Sequence, residues 1–258
     1  MQKEAIKFTS STIFEGMTSI RAIIKSIDEG ISDRRIEKIF YDKDKMSKIH
    51  KEVGYLKAVS EKYGYIIEES NAENIEKMVL GNTHGGIICI ASERTIPRLS
   101  DAEEIKKDGF YAMIEGIEDP YNFGYALRSL YAMGCDGIIL PQRNWMSAAG
   151  VVARSSAGAA ELFRLYTDNA SDAVSFFKSK GYSVVCADLN TDKTLGECTL
   201  KKPIFLIVGG EKRGISKAVL TMADTVVKID YGREFSASLS AASAITMFAY
   251  EIHRQNKN

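Results

Sequence analysis

Apolar positions along the chain follow two alternating periods. Met17, Ile20, Ile23, Ile24 and Ile27 recur at helical spacing and predict a helix over 16–27. Residues 36–41 read as a strand. Residues 45–63 read as an amphipathic helix, with Ile49, Val53, Leu56 and Val59 on one stripe and Gly64 just past its end. A strand over 65–68, a short helix over 71–79 with Asn71 as its cap, and an apolar strand over 85–91 complete a first α/β alternation.

The stretch 92–108 changes character. It is charged, contains Pro97 and holds no sustained apolar run, so it reads as a linker with a short helix over 101–107. A second alternation follows. Strands are expected at 110–117, 137–140, 162–166, 182–187, 203–208 and 225–229. Helices are expected at 123–133, 146–156, 171–179, 216–224 and 239–254, with Gly134 and Gly181 closing two of them. Strands separated by helices at this spacing predict an α/β fold with a mostly parallel sheet covered on both faces. The expected division is a small domain over 1–93, a linker over 94–108 and a larger domain over 109–258.

Composition adds little to this pattern. The 258 residues are 45% hydrophobic and 26% charged, with a formal net charge of zero, so nothing pulls the whole chain toward nucleic acid and any RNA contact must come from local patches. No apolar stretch reaches the roughly 18 residues of a membrane helix, and residues 1–14 lack the apolar core of a signal peptide. Cys89, Cys135, Cys186 and Cys198 have no metal-like spacing, and Cys89 and Cys186 fall in apolar runs that suit buried free thiols. The expectation is a cytoplasmic protein with no metal and no membrane association.

Three segments carry candidate chemistry. In the first, Asp119-Pro120 stops a strand, Asn122 opens a helix, Gly124 permits close approach in its first turn, and Arg128 follows six residues after Asn122. From the pattern alone, Arg128 reads as a surface Arg with a snorkelling stem and Asn122 as a helix cap; the alternative, suggested by Leu127 and Leu130 beside it, is a partly buried Arg. The second is Gly209-Gly210-Glu211-Lys212-Arg213-Gly214, a glycine-rich strand-to-helix turn that lets backbone approach a ligand. Glu211 there could equally complement a helix start, and Lys212 and Arg213 could be solvated or form a small basic patch. The third runs from Ile229 to Ala244. Every residue from Ser238 to Ala244 except Leu239 is small, which suits either tight packing or open helix N–H groups served by serines.

Taken together, in this order, the segments resemble the three motifs of the SpoU family of RNA 2′-O-ribose methyltransferases, within the SPOUT superfamily. Asn122, Gly124 and Arg128 match its Asn-x-Gly-x-x-x-Arg motif. Gly209, Glu211 and Gly214 match Gly-x-Glu-x-x-Gly. Ile229, Ser238-Leu239 and Tyr250-Glu251 match the third, and Arg154-Ser155-Ser156-Ala157-Gly158-Ala159 is similar to the family's Lys-x-Ser-x-Gly-Ala stretch. Glu15-Gly16 and His84-Gly85-Gly86 resemble the small RNA substrate-binding domain, itself like ribosomal proteins that bind kinked RNA. The chain departs from the pattern where the family's Asn after Ser-Leu is Ser240 and the Pro after Ile229 is Asp230, and the intervening loop is one residue longer.

The resemblance implies a deep trefoil knot, S-adenosylmethionine as cofactor, a homodimer, and 2′-O-methylation of structured RNA, with 23S ribosomal RNA ahead of transfer RNA. It implies a catalytic group of Arg128, Asn122, Glu211, Ser238 and Ser240. Gly209, Gly210, Gly214, Ile229 and Leu239 would hold the cofactor, and Arg154, Lys212 and Arg213 would touch RNA. The alternatives are a base methyltransferase of the same fold, or a catalytically impaired RNA-binding relative, which the missing Asn favours.

Overall fold

The computed structural model describes residues 12–79, 84–117, 119–141, 145–210 and 213–257. Glu211 and Lys212, two of the candidate site residues, lie outside them. The contacts divide the chain into two compact units: Met1–Thr95 with Trp145–Leu162, and Ile96–Asn144 with Phe163–Asn258.

The first unit holds β1 (Ile13–Glu15), α1 (Gly16–Asp28), β2 (Ile36–Asp42), α2 (Met46–Tyr63), β3 (Ile66–Ser70), α3 (Ala72–Met78) and β4 (Ile87–Ala91). Its four-stranded sheet has the order β1-β4-β2-β3, with only β2 and β3 parallel. The expected elements are present, including the left-handed Gly64 that ends α2 and the Asn71 carboxamide that accepts from Asn74 N–H at 2.8 Å. The three-residue β1 has no counterpart in the sequence reading. Further along the chain, α5 (Ala149–Ser155) belongs to this unit, where Ala149 and Ala153 share a core with Phe14, Ile23, Leu56 and Cys89. The helix expected over 146–156 starts instead as a 3₁₀ turn over Trp145–Ala148.

Small residues make this packing possible. A Cβ on Gly158, which sits at φ +85°, would lie 2.7 Å from the Ala22 methyl of α1. Two ion pairs fix the arrangement. The Arg34 guanidinium donates to Glu161 through Nε at 2.8 Å and Nη2 at 3.2 Å, donates to the Ser92 carbonyl at 2.6 Å, and lies 4.8 Å from the Phe14 ring centre. Both side chains are essentially shut off from solvent, at 1% and 0% exposure. Nearer the surface, Arg154 pairs with Glu15 at 2.6 Å.

The second unit contains β5 (Phe110–Glu115), α4 (Pro120–Ala132), β6 (Gly137–Leu140), β7 (Arg164–Thr167), α6 (Ala170–Ser179), β8 (Ser183–Ala187), β9 (Ile204–Gly209), α7 (Lys217–Met222), β10 (Thr225–Val227) and α8 (Ala241–Asn256). Its six strands are all parallel, in the order β10-β8-β9-β5-β6-β7. The central strands β5 and β9 are buried along almost their whole length, which is why they read as unbroken apolar runs. Cys186 and Ile207 join a core with α6 and α7, while their neighbours Ala187 and Val208 turn to the opposite face. The helix expected over 101–107 is absent; a 3₁₀ turn over Leu99–Asp101 stands before an irregular stretch whose Ala102 and Ile105 pack on the α6–α7 core. No helix among the described residues is long and apolar enough to cross a membrane.

A charge stranded in the Arg34–Glu161 pocket has no water to fall back on. Arg34→Met is expected to lower unfolding free energy by about 3–5 kcal/mol. The double change Arg34→Met with Glu161→Leu should recover most of that loss, as read from urea denaturation of the full chain.

Candidate functional site

The carboxyl ends of β8, β9 and β10 open onto one cleft of about 240 Å³. Its walls come from three strand exits: Ala187 to Asn190, Val208 to Gly210 with Gly214, and Val227 to Ile229. Tyr231, Ser238 and Leu239 close one side, and Ala241, Ala244 and Phe248 of α8 another. Open parallel sheets place ligands in such a crevice beyond their carboxyl ends.

Backbone shape dominates this cleft. A Cβ at Gly209 would sit 2.6 Å from the Gly214 carbonyl carbon, and one at Gly210 only 2.0 Å from the Gly116 oxygen. Gly210 N–H donates to the Glu115 carbonyl at 2.5 Å, and Gly214 N–H to the Gly210 carbonyl at 3.1 Å. Gly214 itself adopts φ +60°, the left-handed region that glycine occupies without strain. The exit of β5 and the glycine turn after β9 are thus in direct backbone contact.

The five residues expected to hold a cofactor, Gly209, Gly210, Gly214, Ile229 and Leu239, all line this cleft, and Ser238 lines it with them. Tyr231 fixes the third segment by accepting the Leu239 N–H on its hydroxyl at 3.2 Å. Ser240 caps α8: its Oγ accepts from Ser243 N–H at 3.2 Å and lies 3.0 Å from the Ser243 hydroxyl. Asn122 and Arg128 are not among the cleft's lining residues. Arg213 is exposed, and Arg154 is held by Glu15 in the other unit.

The start of α4 differs from expectation in one useful way. Asp119, not Asn122, caps the helix, its carboxylate accepting from Tyr121 N–H at 3.3 Å and Asn122 N–H at 2.9 Å. Arg128 is exposed, as the surface reading of the pattern has it. Phe123, Ala126, Leu127 and Leu130 form the buried stripe, and Arg128 follows Leu127 by about 100° around the axis. It shares an outer face with the exposed Tyr121 and Tyr125.

Glu115 went unnoticed in the sequence, where it reads as the last residue of a strand. It pairs in register with Gly209. Its Oε2 is buried without a hydrogen-bond partner, and burial raises its pKa. The Cys186 thiol nearby is pushed up to about 12, chiefly by burial with Glu115 adding to it, so it stays protonated and unreactive.

Known proteins resemble this chain in sequence and in fold. The SpoU rRNA Methylase family model matches residues 109–250. The chain is 26% identical to YacO of Bacillus subtilis, assigned to the TrmH family of tRNA/rRNA methyltransferases, over 87% of this chain and 90% of that one. It is 28% identical to the 23S rRNA (guanosine-2′-O-)-methyltransferase RlmB of Shewanella oneidensis, over 76% and 81%. The crystal structure of the SpoU methyltransferase AviRb from Streptomyces viridochromogenes, in complex with AdoMet, superposes with a TM-score of 0.76 at 20% identity, covering 94% of this chain and 89% of that one.

Two substitutions test the cleft's construction. Gly210→Ala forces a methyl against the Gly116 carbonyl and is expected to cost about 1–3 kcal/mol, measured by urea denaturation. Glu115→Gln carries a pH signature. Because burial raises the folded-state pKa above the ordinary 4.5, the contribution of Glu115 to stability is intact below that value and is lost as pH rises through the folded one. The amide should therefore raise the denaturation midpoint at about pH 8 and give no gain at about pH 4.

Proposed function

The chain belongs to the SpoU rRNA methylase family, and on that premise we propose that it methylates a ribose 2′-hydroxyl of structured RNA, with 23S ribosomal RNA ahead of transfer RNA. One observation carries the reading: glycines of the second motif and Ile229 and Leu239 of the third gather in a single cleft at the carboxyl ends of a parallel sheet. The proposed cofactor is S-adenosylmethionine. The residues present fit it, since the backbone of Gly209, Gly210 and Gly214 admits a flat group closely and Val208, Ile229, Leu239 and Phe248 offer apolar surface to an adenine. The trefoil knot of the family and a domain boundary between about 93 and 109 belong to the same proposal.

When bound, S-adenosylmethionine supplies an electrophilic methyl carbon. The chain's own task is to place and activate the acceptor. A ribose 2′-hydroxyl is a weak nucleophile whose proton must leave as it attacks. Arg128 is assigned to hold the flanking phosphate and stabilise the developing oxyanion, because a guanidinium stays charged and presents a fork of donors. Asn122 and Glu211 are assigned to orient the ribose or Arg128, and Ser238 offers a hydroxyl at the cleft wall. Arg213, Lys212 and Arg154 are proposed RNA contacts, with Arg154 exchanging Glu15 for a phosphate.

Arg128 stands outside the cleft lining of its own chain, and this supports a homodimer in which it serves the cleft of a second copy. The outer face of α4 carries Tyr121 and Tyr125, and the adjoining α8 exposes Tyr250. The helices are joined at their outer edge by a 2.7 Å hydrogen bond from Thr246 Oγ1 to Ser129 Oγ. Such aromatic surface is favoured between protein subunits. A second reading, an RNA binder impaired in transfer, is favoured by Ser240, whose hydroxyl is committed to capping α8.

Calorimetric titration of S-adenosylmethionine, followed by transfer of tritiated methyl to transcribed 23S ribosomal RNA, separates the two. Cofactor binding with incorporated label supports the enzyme; RNA binding without label supports the impaired relative. Arg128→Ala is expected to lower transfer at least about a hundredfold while leaving cofactor binding nearly intact. Gly210→Ala, whose methyl crowds the proposed cofactor cleft, is expected to lose cofactor binding, and mixing it with Arg128→Ala protein should restore transfer if Arg128 acts across a dimer; no restoration sinks that arrangement.

A further inference from the structure

The loop between Ile229 and Leu239 forms more than one side of the cofactor cleft. It also borders an open groove of about 540 Å³ that shares Ile229, Tyr231 and Leu239 with the cleft. Phe235 stands at this groove with 58% of its surface exposed, a large apolar side chain left in water at the rim of the site. Its ring centre lies 6.1 Å from that of Tyr231, with the planes tilted by 59°. Tyr231 is itself anchored through its hydroxyl to the Leu239 backbone. The aromatic pair is therefore built from one anchored ring and one exposed ring, on a loop that runs from the cleft into the groove.

The charges of the groove define what it can accept. Asp230 and Glu234 are acidic and Arg233 is basic, so the lining carries a net charge of −1. That disfavours a run of phosphates. It suits an uncharged nucleobase, whose face stacks on an aromatic ring and whose amino group can donate to a carboxylate. Arg233 remains for the single phosphate attached to that base.

We propose that Phe235, backed by Tyr231, is a stacking platform for an unpaired RNA base neighbouring the acceptor nucleotide, with Asp230 and Glu234 favouring a base that bears an amino group over uracil. The proposal rests on the RNA methylation reading above. It adds a subsite that would position the acceptor strand next to the methyl donor. Continuity of groove and cleft through Ile229, Tyr231 and Leu239 gives one strand access to both.

Tritiated methyl transfer by the full-length protein, at saturating S-adenosylmethionine and varied concentrations of transcribed 23S ribosomal RNA or bulk transfer RNA, tests the platform. Phe235→Ala is expected to raise KM for RNA by about ten- to a hundredfold, with the cofactor dissociation constant within about twofold of the unaltered protein's. Phe235→Trp should restore the low KM and Phe235→Leu should not, a pattern that a simple loss of apolar packing would not produce. Light scattering of each variant runs alongside. Unchanged KM in Phe235→Ala, equal rescue by Leu, or a loss of activity that tracks dissociation of the protein into smaller species overturns the platform. Absence of transfer by the unaltered protein overturns the methylation reading and the platform with it, whereas transfer that ignores Phe235 overturns the platform alone.

Discussion

The second unit depends on a place where two stretches of backbone touch with nothing between them. The exit of β5 and the turn after β9 meet at Gly116 and Gly210, so closely that a single methyl would overlap a carbonyl oxygen. Hydrogen bonds from Gly210 to Glu115 and from Gly214 to Gly210 lock the turn in that position. Glycine is needed here for room as much as for dihedral freedom: Gly210 supplies the close approach, and Gly214 supplies the positive φ. The contact holds the exit of β5 against Gly210, and the cleft opens where Val208 to Gly210 and Gly214 meet the exits of β8 and β10. Its cost falls on Glu115, one of whose carboxylate oxygens is buried without a partner beside the contact.

The first unit solves a similar close-packing problem by different means. Gly158 lets α1 approach the turn after α5, and the buried Arg34–Glu161 pair holds chain segments 127 residues apart in sequence. A buried pair of this kind adds little net stability over an apolar substitute, because both ions lose their water. The costly change is removal of one partner alone, which strands the other charge. A misplaced segment would leave a charge buried alone, whereas a misplaced leucine would merely find another apolar neighbour. The small-residue stretch from Arg154 to Ala159, of which the sequence reading assigns Arg154 to RNA, therefore has packing work within this unit as well.

Parts of this architecture were legible in the sequence because they depend on local pattern. Strands β5 and β9 are covered on both faces, so they had to be apolar at nearly every position, and the glycines after β9 marked a turn against which backbone packs. Ile229 and Leu239 were recognisable through motif spacing. Other parts were hidden for identifiable reasons. Asp119 and Asn122 are both good helix caps three residues apart, and only the backbone course decides between them. The charged residues over 101–107 suit a helix, yet that stretch offers Ala102 and Ile105 to the core and no full apolar stripe, and propensity alone does not sustain so short a helix. Strand β1 exists through its pairing with β4 some 75 residues later, beginning at Ile13 opposite Ile90, and the buried partnership of Arg34 with Glu161 is equally non-local. Glu115 was invisible as a special residue because its position at a strand end looks ordinary until the burial of its oxygen is seen.

The third segment shows how one short stretch divides its labour. An asparagine at 240 could cap α8 as well as serine does, so the helix alone does not require the change from the family's Asn. The difference lies in what remains after capping. An asparagine that caps through its oxygen still has an amide with two donors to offer, whereas the Ser240 hydroxyl already accepts from Ser243 N–H and is hydrogen-bonded to the Ser243 hydroxyl, with either oxygen able to donate. That leaves the cleft wall to Ser238, the exposed hydroxyl among its lining residues on this loop, while Tyr231 holds the intervening Leu239 in place. The loop before Ser240 carries the anchored Tyr231 and the exposed Phe235.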